Sequence, residues 1–234
     1  MNKTDLFHLR QAELISRTSE LLDMVTNYPI VFHKTTPKTF QCIRDCGGCC
    51  IQGFYFDEEF KKVPQKYKSG IEDLNPAMTH QLKTCNGKCI FSKLDGCQIH
   101  GHHPMRCQIY PYKFIVDESK KCIVIFSESF FEDTWVSYDP GMGPALCPGY
   151  LQKISVEEKI LGQVRPFLSQ IVLEKPVFLP FNFYWNTDDL FDNKSFNLYF
   201  STLKRLGGIP YPNRQGKWVL NGREVRMKGN YESK

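Results

Sequence analysis

All ten cysteines of this 234-residue chain lie between Cys42 and Cys147, and this clustering is the strongest constraint on its fold. Glycine and proline recur there in short irregular runs, and few apolar residues follow a helical or strand period. A disulfide-stapled miniprotein would be much shorter and would contain more than about 8–10 % cysteine, so that class is excluded. The region therefore needs a source of folding stability besides an apolar core, and its thiols indicate that this source is bound metal.

The N-terminal residues do not have the pattern of an export signal. Acidic residues interrupt the apolar ones up to Tyr28, whereas a signal peptide needs an unbroken apolar run of about 7–15 residues. No stretch approaches the ~20 apolar residues of a membrane span, so no membrane partner is expected. These features predict a cytoplasmic location, where clustered cysteines hold metal more often than they form disulfides.

Periodic apolar residues on both sides of the cysteine-rich region predict helices. Residues 4–26 place apolar side chains near a 3.6-residue period, which predicts one amphipathic helix. Ser155 and Glu158 have the spacing of a capping box at the start of a second helix, in which Pro166 should cause a kink or a split. A third helix is predicted over residues 187–206, because a glycine pair follows it.

Three short segments are predicted to be strands. Residues 113–116 and 122–126 are rich in β-branched and aromatic side chains. Residues 217–226 contain Asn221-Gly222 at their centre, and this dipeptide suits the type I′ turn of a two-residue hairpin. The chain is therefore expected to end in a small β-hairpin.

These patterns together predict an α+β fold, in which an irregular, metal-organised, cysteine-rich domain has flanking helices and a small C-terminal β-hairpin. We expect an N-terminal helix in residues 1–38 and a cysteine-cluster metal-binding domain in residues 39–150. A helical lobe, with the hairpin packed on it, is expected in residues 151–234. Because the candidate ligands are spread through the middle segment, metal should supply much of its folding free energy.

Four thiols lie within nine residues, at Cys42, Cys46, Cys49 and Cys50. A soft, thiolate-rich site selects zinc, copper(I) or an iron–sulfur cluster over hard cations. The intervening Gly47-Gly48 suits a loop that wraps closely around an ion or a cluster, since glycine allows close backbone approach. This segment is therefore predicted to bind metal.

The other six cysteines are spaced more widely, at Cys85, Cys89, Cys97, Cys107, Cys122 and Cys147. Two spacings in the chain, Cys46-x2-Cys49 and Cys85-x3-Cys89, are those of zinc knuckles. The adjacent Cys49-Cys50 pair and the nine residues after Cys97 do not form a second regular knuckle. Zinc therefore stays an option without being the obvious choice.

The order of these residues resembles the YkgJ-type cysteine-cluster family. The matching patterns are Phe40-x-Cys-x3-Cys-Gly-x-Cys-Cys, Cys-x-Phe, Gly-Cys-x-Ile, Pro-x-x-Cys-x-x-Tyr-Pro and Cys-x-Gly, which together span about Phe40 to Tyr150. That family is described as a zinc- or iron-chelating domain, and many of its members are labelled iron–sulfur proteins. The resemblance implies eight metal ligands: Cys42, Cys46, Cys49, Cys50, Cys89, Cys97, Cys107 and Cys147.

Some residues depart from the family pattern. Cys85 and Cys122 are extra to it, and each is either a ligand in place of a family position or a thiol in a half-buried site. His100 and His103 stand where the family usually has Tyr and Arg, and the x3 spacing after the first cysteine is one residue longer than the commonest form. His100, His102 and His103 could be ligands or proton relays, or could form hydrogen bonds within their loop or be exposed.

Eight family cysteines are twice the four ligands of one Cys₄ site, which is enough for two clusters or two zinc ions. The resemblance favours an iron–sulfur cluster, of the [4Fe–4S] type, with a structural or electron-transfer role. The knuckle spacings support the alternative of a zinc-binding module.

Basic charge is concentrated at the end of the chain, where residues 204–234 contain eight Lys or Arg and two Glu. No nucleic-acid-reading motif accompanies this charge, so nucleic acid is not expected as a partner. The zinc alternative would present the basic hairpin to a protein partner.

Flagellin lysine N-methylases are similar in their cysteine motif, which implies a third function, protein methylation with S-adenosylmethionine. No methyl-donor site or catalytic residue can be recognised, so whether the protein is an enzyme is left open.

Overall fold

The computed structural model describes residues 3–33, 36–42, 53–73, 80–85, 88–127, 154–187, 211–213, 215, 217–220 and 222–225. The fold is α+β, as predicted. The helices are α1 (Lys3–Ser16), α2 (Thr18–Asn27), α3 (Asp57–Lys61), α4 (Gln65–Lys68), α5 (Met105–Ile109), α6 (Glu157–Glu174) and α7 (Leu179–Asn182), the last preceded by a 3₁₀ turn at Pro176–Phe178. The strands are β1 (Ile30–Phe32), β2 (Ile71–Glu72), β3 (Gln81–Leu82), β4 (Thr84–Cys85), β5 (Lys88–Cys89), β6 (Ser92–Lys93), β7 (Gly96–Cys97), β8 (Tyr112–Asp117), β9 (Cys122–Ser127), β10 (Phe183–Tyr184), β11 (Tyr211–Pro212), β12 (Trp218–Leu220) and β13 (Arg223–Glu224).

The largest sheet has four strands in the order β1-β9-β8-β10. The two strands predicted in this part of the sequence are confirmed as β8 and β9, which pair antiparallel with Phe114 opposite Ile125. The edge strands β1 and β10 both run parallel to their neighbours. The β8 and β9 side chains at Phe114, Ile115, Ile123 and Ile125 are fully buried, as expected for central strands covered on both faces.

Helices α2 and α6 pack on this sheet and form what we call the principal core. It draws on distant parts of the chain, with buried side chains that include Leu14, Leu21, Val25, Phe54, Phe56, Ile109, Tyr112, Phe114, Ile125, Val164, Leu168, Ile171 and Phe183. One face of α6 packs into this core, and its buried side chains are Ile160, Val164, Phe167, Leu168, Ile171 and Val172. One core therefore joins the N-terminal helices, the sheet and the helix that follows the cysteine-rich region.

The first helix is not continuous as predicted, because it breaks at Arg17 between α1 and α2. The Thr18 hydroxyl donates a hydrogen bond to the carbonyl of Ile15 at 2.7 Å, in competition with the regular backbone bond to that oxygen. The Arg17 guanidinium binds Glu20 on α2 and reaches Glu118, just beyond β8, at 2.8 Å. The break therefore places an arginine where it fastens the helices to the end of the sheet.

Helix α6 also begins differently from the sequence prediction. Its N-cap is Val156 and no side chain caps it, so the predicted capping box at Ser155 is wrong. Ser155 instead forms an antiparallel bridge with Thr39, and the backbone amide of Val156 donates to the carbonyl of Lys38. This pairing keeps Ser155 extended and moves the helix start by one residue. Pro166 does not split the helix, which runs through it from Glu157 to Glu174.

Replacement of Gly162 by alanine is expected to stabilise the protein by about 0.5–1 kcal/mol, because glycine in a helix costs that much relative to alanine. Gly162 lies in the exposed face of α6, and an added Cβ would meet no atom within 4 Å. Urea denaturation of the Gly162→Ala variant measures the change. A destabilised variant would show that this part of α6 is not helical in solution.

The predicted C-terminal hairpin is confirmed, with β12 and β13 paired so that Leu220 lies opposite Arg223. Gly222 has a φ of 79°, the left-handed conformation that the two-residue turn requires. A third strand, β11, pairs with β12 and was not predicted.

The helix predicted over residues 187–206 lies outside the described residues, apart from Thr187. Within the described part of the chain, no helix has the length and apolar character needed to cross a membrane.

Candidate metal centre

A second, smaller hydrophobic core lies within the cysteine-rich segment. Its buried side chains are Tyr55, Val63, Ile71, Leu82, Cys89, Phe91 and Ile99, and Phe60, Tyr67, Ile90, Cys97 and Cys107 pack partly buried against it. Three antiparallel pairs contribute to it, namely β2–β3, β4–β5 and β6–β7, each with strands of two residues. Such short pairs are not stable alone, so this second core needs support from elsewhere.

An extended segment at residues 53–56 joins the second core to the principal core. Phe54 and Phe56 belong to the principal core, where Phe54 stacks on Phe178 with ring centroids 5.0 Å apart. Tyr55, between them, belongs to the second core. Alternate side chains of an extended chain point to opposite sides, which explains how three successive residues serve two cores.

Three of the predicted ligands, Cys89, Cys97 and Cys107, come together in the second core. Cys89 lies on β5 opposite Thr84 and is 9 % exposed, and Cys97 lies on β7 opposite Ser92. Cys107 is the central residue of α5. Two hairpins and a helix therefore supply these thiols, which are well separated in sequence.

Tyr55 lies in the midst of these thiols. Burial raises the pKa of the Tyr55 phenol, and negative charge on Cys107, Cys97 and Cys89 raises it further. The phenol donates a hydrogen bond of 2.6 Å to the carbonyl of His102. Tyr55 therefore lies close enough to these three cysteines, and to Glu59, for their negative charge to raise the pKa of its phenol.

Gly53 lies so close to the Cys107 thiol that a side chain at position 53 would collide with it. A Cβ at position 53 would lie 2.8 Å from the Cys107 Sγ and 3.0 Å from a methyl carbon of Leu82. The backbone amide of Leu82 donates to the Gly53 carbonyl at 2.8 Å, so this close approach is held in place. In the sequence, Gly53 follows Cys50 by three residues.

Replacement of Gly53 by alanine is expected to displace the Cys107 thiol and to destabilise the protein by about 1–3 kcal/mol, the usual cost of overpacking. Metal content per folded molecule should fall as well. The matched control is Gly70→Ala, whose added Cβ would have its three nearest contacts with Phe91 and Ile90 in the same core. Equal metal loss in both variants would contradict a specific role for Gly53.

Glu59 holds the helix that carries Cys107. Its carboxylate accepts hydrogen bonds from the backbone amides of Phe56, at 3.0 Å, and Met105, at 2.7 Å. Burial raises the pKa of Glu59, although both backbone amides act in the opposite direction. One side chain thus ties α3 to the first residue of α5. Gly53, Tyr55 and Glu59 were not predicted, since only the fold brings them to the thiols.

The two extra cysteines lie apart from this arrangement. Cys85 is an exposed free thiol on β4, opposite Lys88. Cys122 is a free thiol in the large sheet, paired with Asp117 at the end of β9, and burial raises its pKa. Cys42 is exposed and lies two residues after Phe40, which packs against the principal core.

Of the three histidines, only His103 is half-buried, whereas His100 and His102 are exposed. Burial lowers the pKa of His103 to about 4, and positive charge on His100, Lys159 and His102 lowers it further in the same direction. Its Nδ1 is buried and has no hydrogen-bond partner among the described residues. Neutral His103 therefore has a nitrogen that suits a metal or a hydrogen-bond donor.

Residues 41–127 match the family model CxxCxxCC, which is described as a "putative zinc- or iron-chelating domain". The chain carries a CxxCxxCC domain. The match contains every cysteine except Cys147 and confirms the cysteine-cluster family inferred from the sequence. No curated protein and no solved structure matches the chain significantly.

The CxxCxxCC domain is a metal-binding cysteine-cluster domain, and the described part of it fits that role. Its second core holds soft thiol donors in a buried setting, beside a glycine cradle that a side chain would fill. Four predicted ligands, Cys46, Cys49, Cys50 and Cys147, lie outside the described residues. Among the described ranges alone, no three His, Cys, Asp or Glu side chains are grouped closely enough to hold a metal ion.

Proposed function

We propose that this protein is an iron–sulfur protein of the YkgJ type, in which a [4Fe–4S] cluster has a structural or electron-transfer role. The observation that supports this most strongly is the gathering of Cys89, Cys97 and Cys107 around Tyr55 in one small core. The ligands would be the eight cysteines of the family pattern, with Cys42, Cys46, Cys49, Cys50 and Cys147 added to these three. A bound cluster would supply one-electron redox chemistry and a crosslink between distant segments.

The chain's own residues provide the environment. The aromatic and aliphatic side chains of the second core exclude water from Cys89, which lowers the local dielectric. The backbone around Gly53 approaches Cys107 closely, and Glu59 fixes the helix on which Cys107 lies. In the folded domain, these features hold the helix that carries Cys107 in place.

The arrangement of the β4–β5 hairpin favours a cluster over a zinc knuckle. Cys85 pairs with Lys88 and Cys89 pairs with Thr84, so the two cysteines lie on opposite faces of the hairpin. A knuckle needs both thiols to point toward one ion. This argues against Cys85 and Cys89 as a zinc pair, although their spacing in the sequence is suitable.

The alternative is a zinc-binding module that presents the basic C-terminal hairpin to a partner. The hairpin itself supports this, since Lys217, just before β12, and Arg223, on β13, are exposed to solvent. Lys217, however, pairs with Glu224 at 2.8 Å, so part of its charge is neutralised. We therefore rank this function second.

The deciding experiment is anaerobic purification followed by absorption spectroscopy and metal analysis. An iron–sulfur cluster should give broad absorption near about 400 nm that bleaches with dithionite. The Cys97→Ser variant should lose this absorption, while Cys122→Ser, in the large sheet, should retain it. A colourless protein with stoichiometric zinc would overturn the proposal in favour of the alternative, and a metal-free protein would overturn both.

A further inference from the structure

The chain between Cys97 and Cys107 joins two of the predicted metal ligands, and we call its residues 98–106 the ligand loop. Fully extended, a connection of this length could separate its two ends by about 33 Å. The loop by itself therefore does not determine where the two sulfurs lie relative to each other. A metal bound by both would have to restrict that freedom, which costs conformational entropy. The contacts that hold the ligand loop thus matter for how well the pair can bind.

Local turns divide the ligand loop into two parts, each attached to one ligand. On the side of Cys97, the backbone amide of His102 donates to the carbonyl of Ile99 at 2.8 Å. On the other side, the amide of Cys107 donates to the carbonyl of Pro104 at 2.9 Å, at the start of α5. Each ligand is thus linked to a short turn whose position can be fixed from outside the loop.

One segment outside the ligand loop fastens both parts. Tyr55, whose side chain is 2 % exposed, donates its phenol hydrogen bond to the carbonyl of His102 at 2.6 Å. Glu59 accepts the backbone amide of Met105 at 2.7 Å. Both bonds are at least partly buried, where a hydrogen bond is stronger than in water. One of the two bonds therefore holds each part of the loop.

The segment that carries Tyr55 and Glu59 is itself attached to the principal core. Phe56, between them, is fully buried in that core, and its backbone amide donates to the Glu59 carboxylate at 3.0 Å. The amide of Asp57 donates to the carboxylate of Glu174, on α6, at 2.7 Å. The two bonds to the ligand loop therefore hold it in a fixed place relative to the principal core.

We propose that Tyr55 and Glu59 are positioning residues of the metal centre, which fix the ligand loop so that Cys97 and Cys107 present their sulfurs to one centre. Neither residue is a ligand. This inference rests on the proposed metal-binding function. It requires that loss of either hydrogen bond changes both the arrangement of sulfurs at the bound metal and the rate at which the metal leaves.

The test compares two variants with controls that remove the same kinds of group elsewhere. Tyr55→Phe keeps the ring and removes a hydroxyl donor, as Ser119→Ala does just beyond the end of β8 that is remote from α5. Glu59→Gln replaces a carboxylate that accepts backbone amides through both oxygens, and Asp117→Asn makes the same change beside Ser119. The controls remove hydrogen bonds from the fold without touching the ligand loop.

The probe is cobalt(II), added to saturation to the reduced full-length protein without oxygen. Cobalt(II) thiolates absorb by charge transfer from sulfur, so their spectrum reports the number and arrangement of the sulfurs. We expect Tyr55→Phe and Glu59→Gln to change this spectrum and to release cobalt to a chelator severalfold faster than wild type. Ser119→Ala and Asp117→Asn should keep the wild-type spectrum and rate, because a less stable fold does not alter the geometry of a saturated site.

A wild-type spectrum and release rate in both variants would overturn the positioning role and leave metal binding intact. Faster release with an unchanged spectrum would also overturn it, and so would equal changes in the controls, because the two residues would then act only through general stability. If wild type binds no cobalt, the metal-binding function itself fails, together with the positioning role.

Discussion

Removal of the bound metal by a chelator is expected to unfold residues 63–99 while the principal core stays folded. The second core buries seven side chains and is built from two-residue strands, so apolar packing alone cannot hold it. Metal thiolates supply about 10–16 kcal/mol in zinc-dependent peptides, which is more than the whole stability of many small domains. The principal core has twenty buried members and does not depend on the described thiols.

Hydrogen exchange measured by mass spectrometry checks this expectation. Peptides that cover β4–β7 should lose their protection on chelation, whereas peptides from β8, β9 and α6 should keep it. Cys97→Ser should reproduce the pattern of the stripped protein without chelator, and Cys122→Ser should not. Unchanged protection in β4–β7 would mean that metal does not hold the second core together. The sequence alone predicts a wider dependence, over residues 40–150, but β8 and β9 belong to the principal core.

Replacement of Asp117 by alanine is expected to cost about 3–5 kcal/mol, because several donors would lose a buried charged acceptor. Asp117 is fully buried at the end of β8. Its carboxylate accepts hydrogen bonds from the Thr187 hydroxyl at 2.5 Å, the Thr187 amide at 2.9 Å, and the Lys120 amide and Ser119 hydroxyl at 2.8 Å each. These bonds close the β8–β9 turn onto the chain after β10.

The contribution of Asp117 should also depend on pH. Burial by itself would raise the pKa of Asp117, but hydrogen bonds from Thr187, Lys120 and Ser119 lower it to about 2, from an ordinary value of 3.8. A depressed carboxyl pKa stabilises the fold above the unfolded value, and this stabilisation is lost as pH falls through the folded value. About 2 kcal/mol should therefore disappear between about pH 4 and pH 2.

Urea denaturation of wild type, Asp117→Asn and Ser119→Ala tests both expectations at pH 7, above the window of about 4 to 2, and at pH 2.5, near its lower end. Asp117→Asn keeps the shape but has no charge, so its deficit relative to wild type should shrink in acid. Ser119→Ala removes one donor and should cost about 1–3 kcal/mol at neutral pH. A deficit of Asp117→Asn that is the same at both pH values would contradict the ionised, hydrogen-bonded carboxylate.

Local patterns predicted some elements because local chemistry determines them. Strands β8 and β9 follow from runs of β-branched and aromatic residues, and the hairpin at Gly222 follows from its turn dipeptide. The break at Arg17 was missed, because it depends on the Thr18 hydroxyl and on Glu118, which lies about a hundred residues away. The parallel edge strands β1 and β10 likewise depend on pairing between distant segments.

The candidate site also combines residues that the local sequence predicts with residues that only the fold brings together. Spacing and family resemblance predict Cys89, Cys97 and Cys107 as ligands, since cysteine itself is the chemical signal. Gly53 and Tyr55 have no such signal, because a glycine and a tyrosine acquire their roles only from the sulfurs placed beside them. The different exposures of Cys85 and Cys89 depend on the hairpin register and on the packing of one face, which spacing alone does not determine.

The alternation of Phe54, Tyr55 and Phe56 between two cores has a consequence for how this protein can be divided. The segment matched by the family runs over residues 41–127, yet it contributes Phe54 and Phe56 to a core that is completed by Leu14 and Val164. If residues 41–127 were produced alone, the side chains of Phe54 and Phe56 would be exposed to water. The segment that the family model matches is therefore smaller than the unit that forms the principal core, and transplanting it into another protein would require a host surface that covers Phe54 and Phe56.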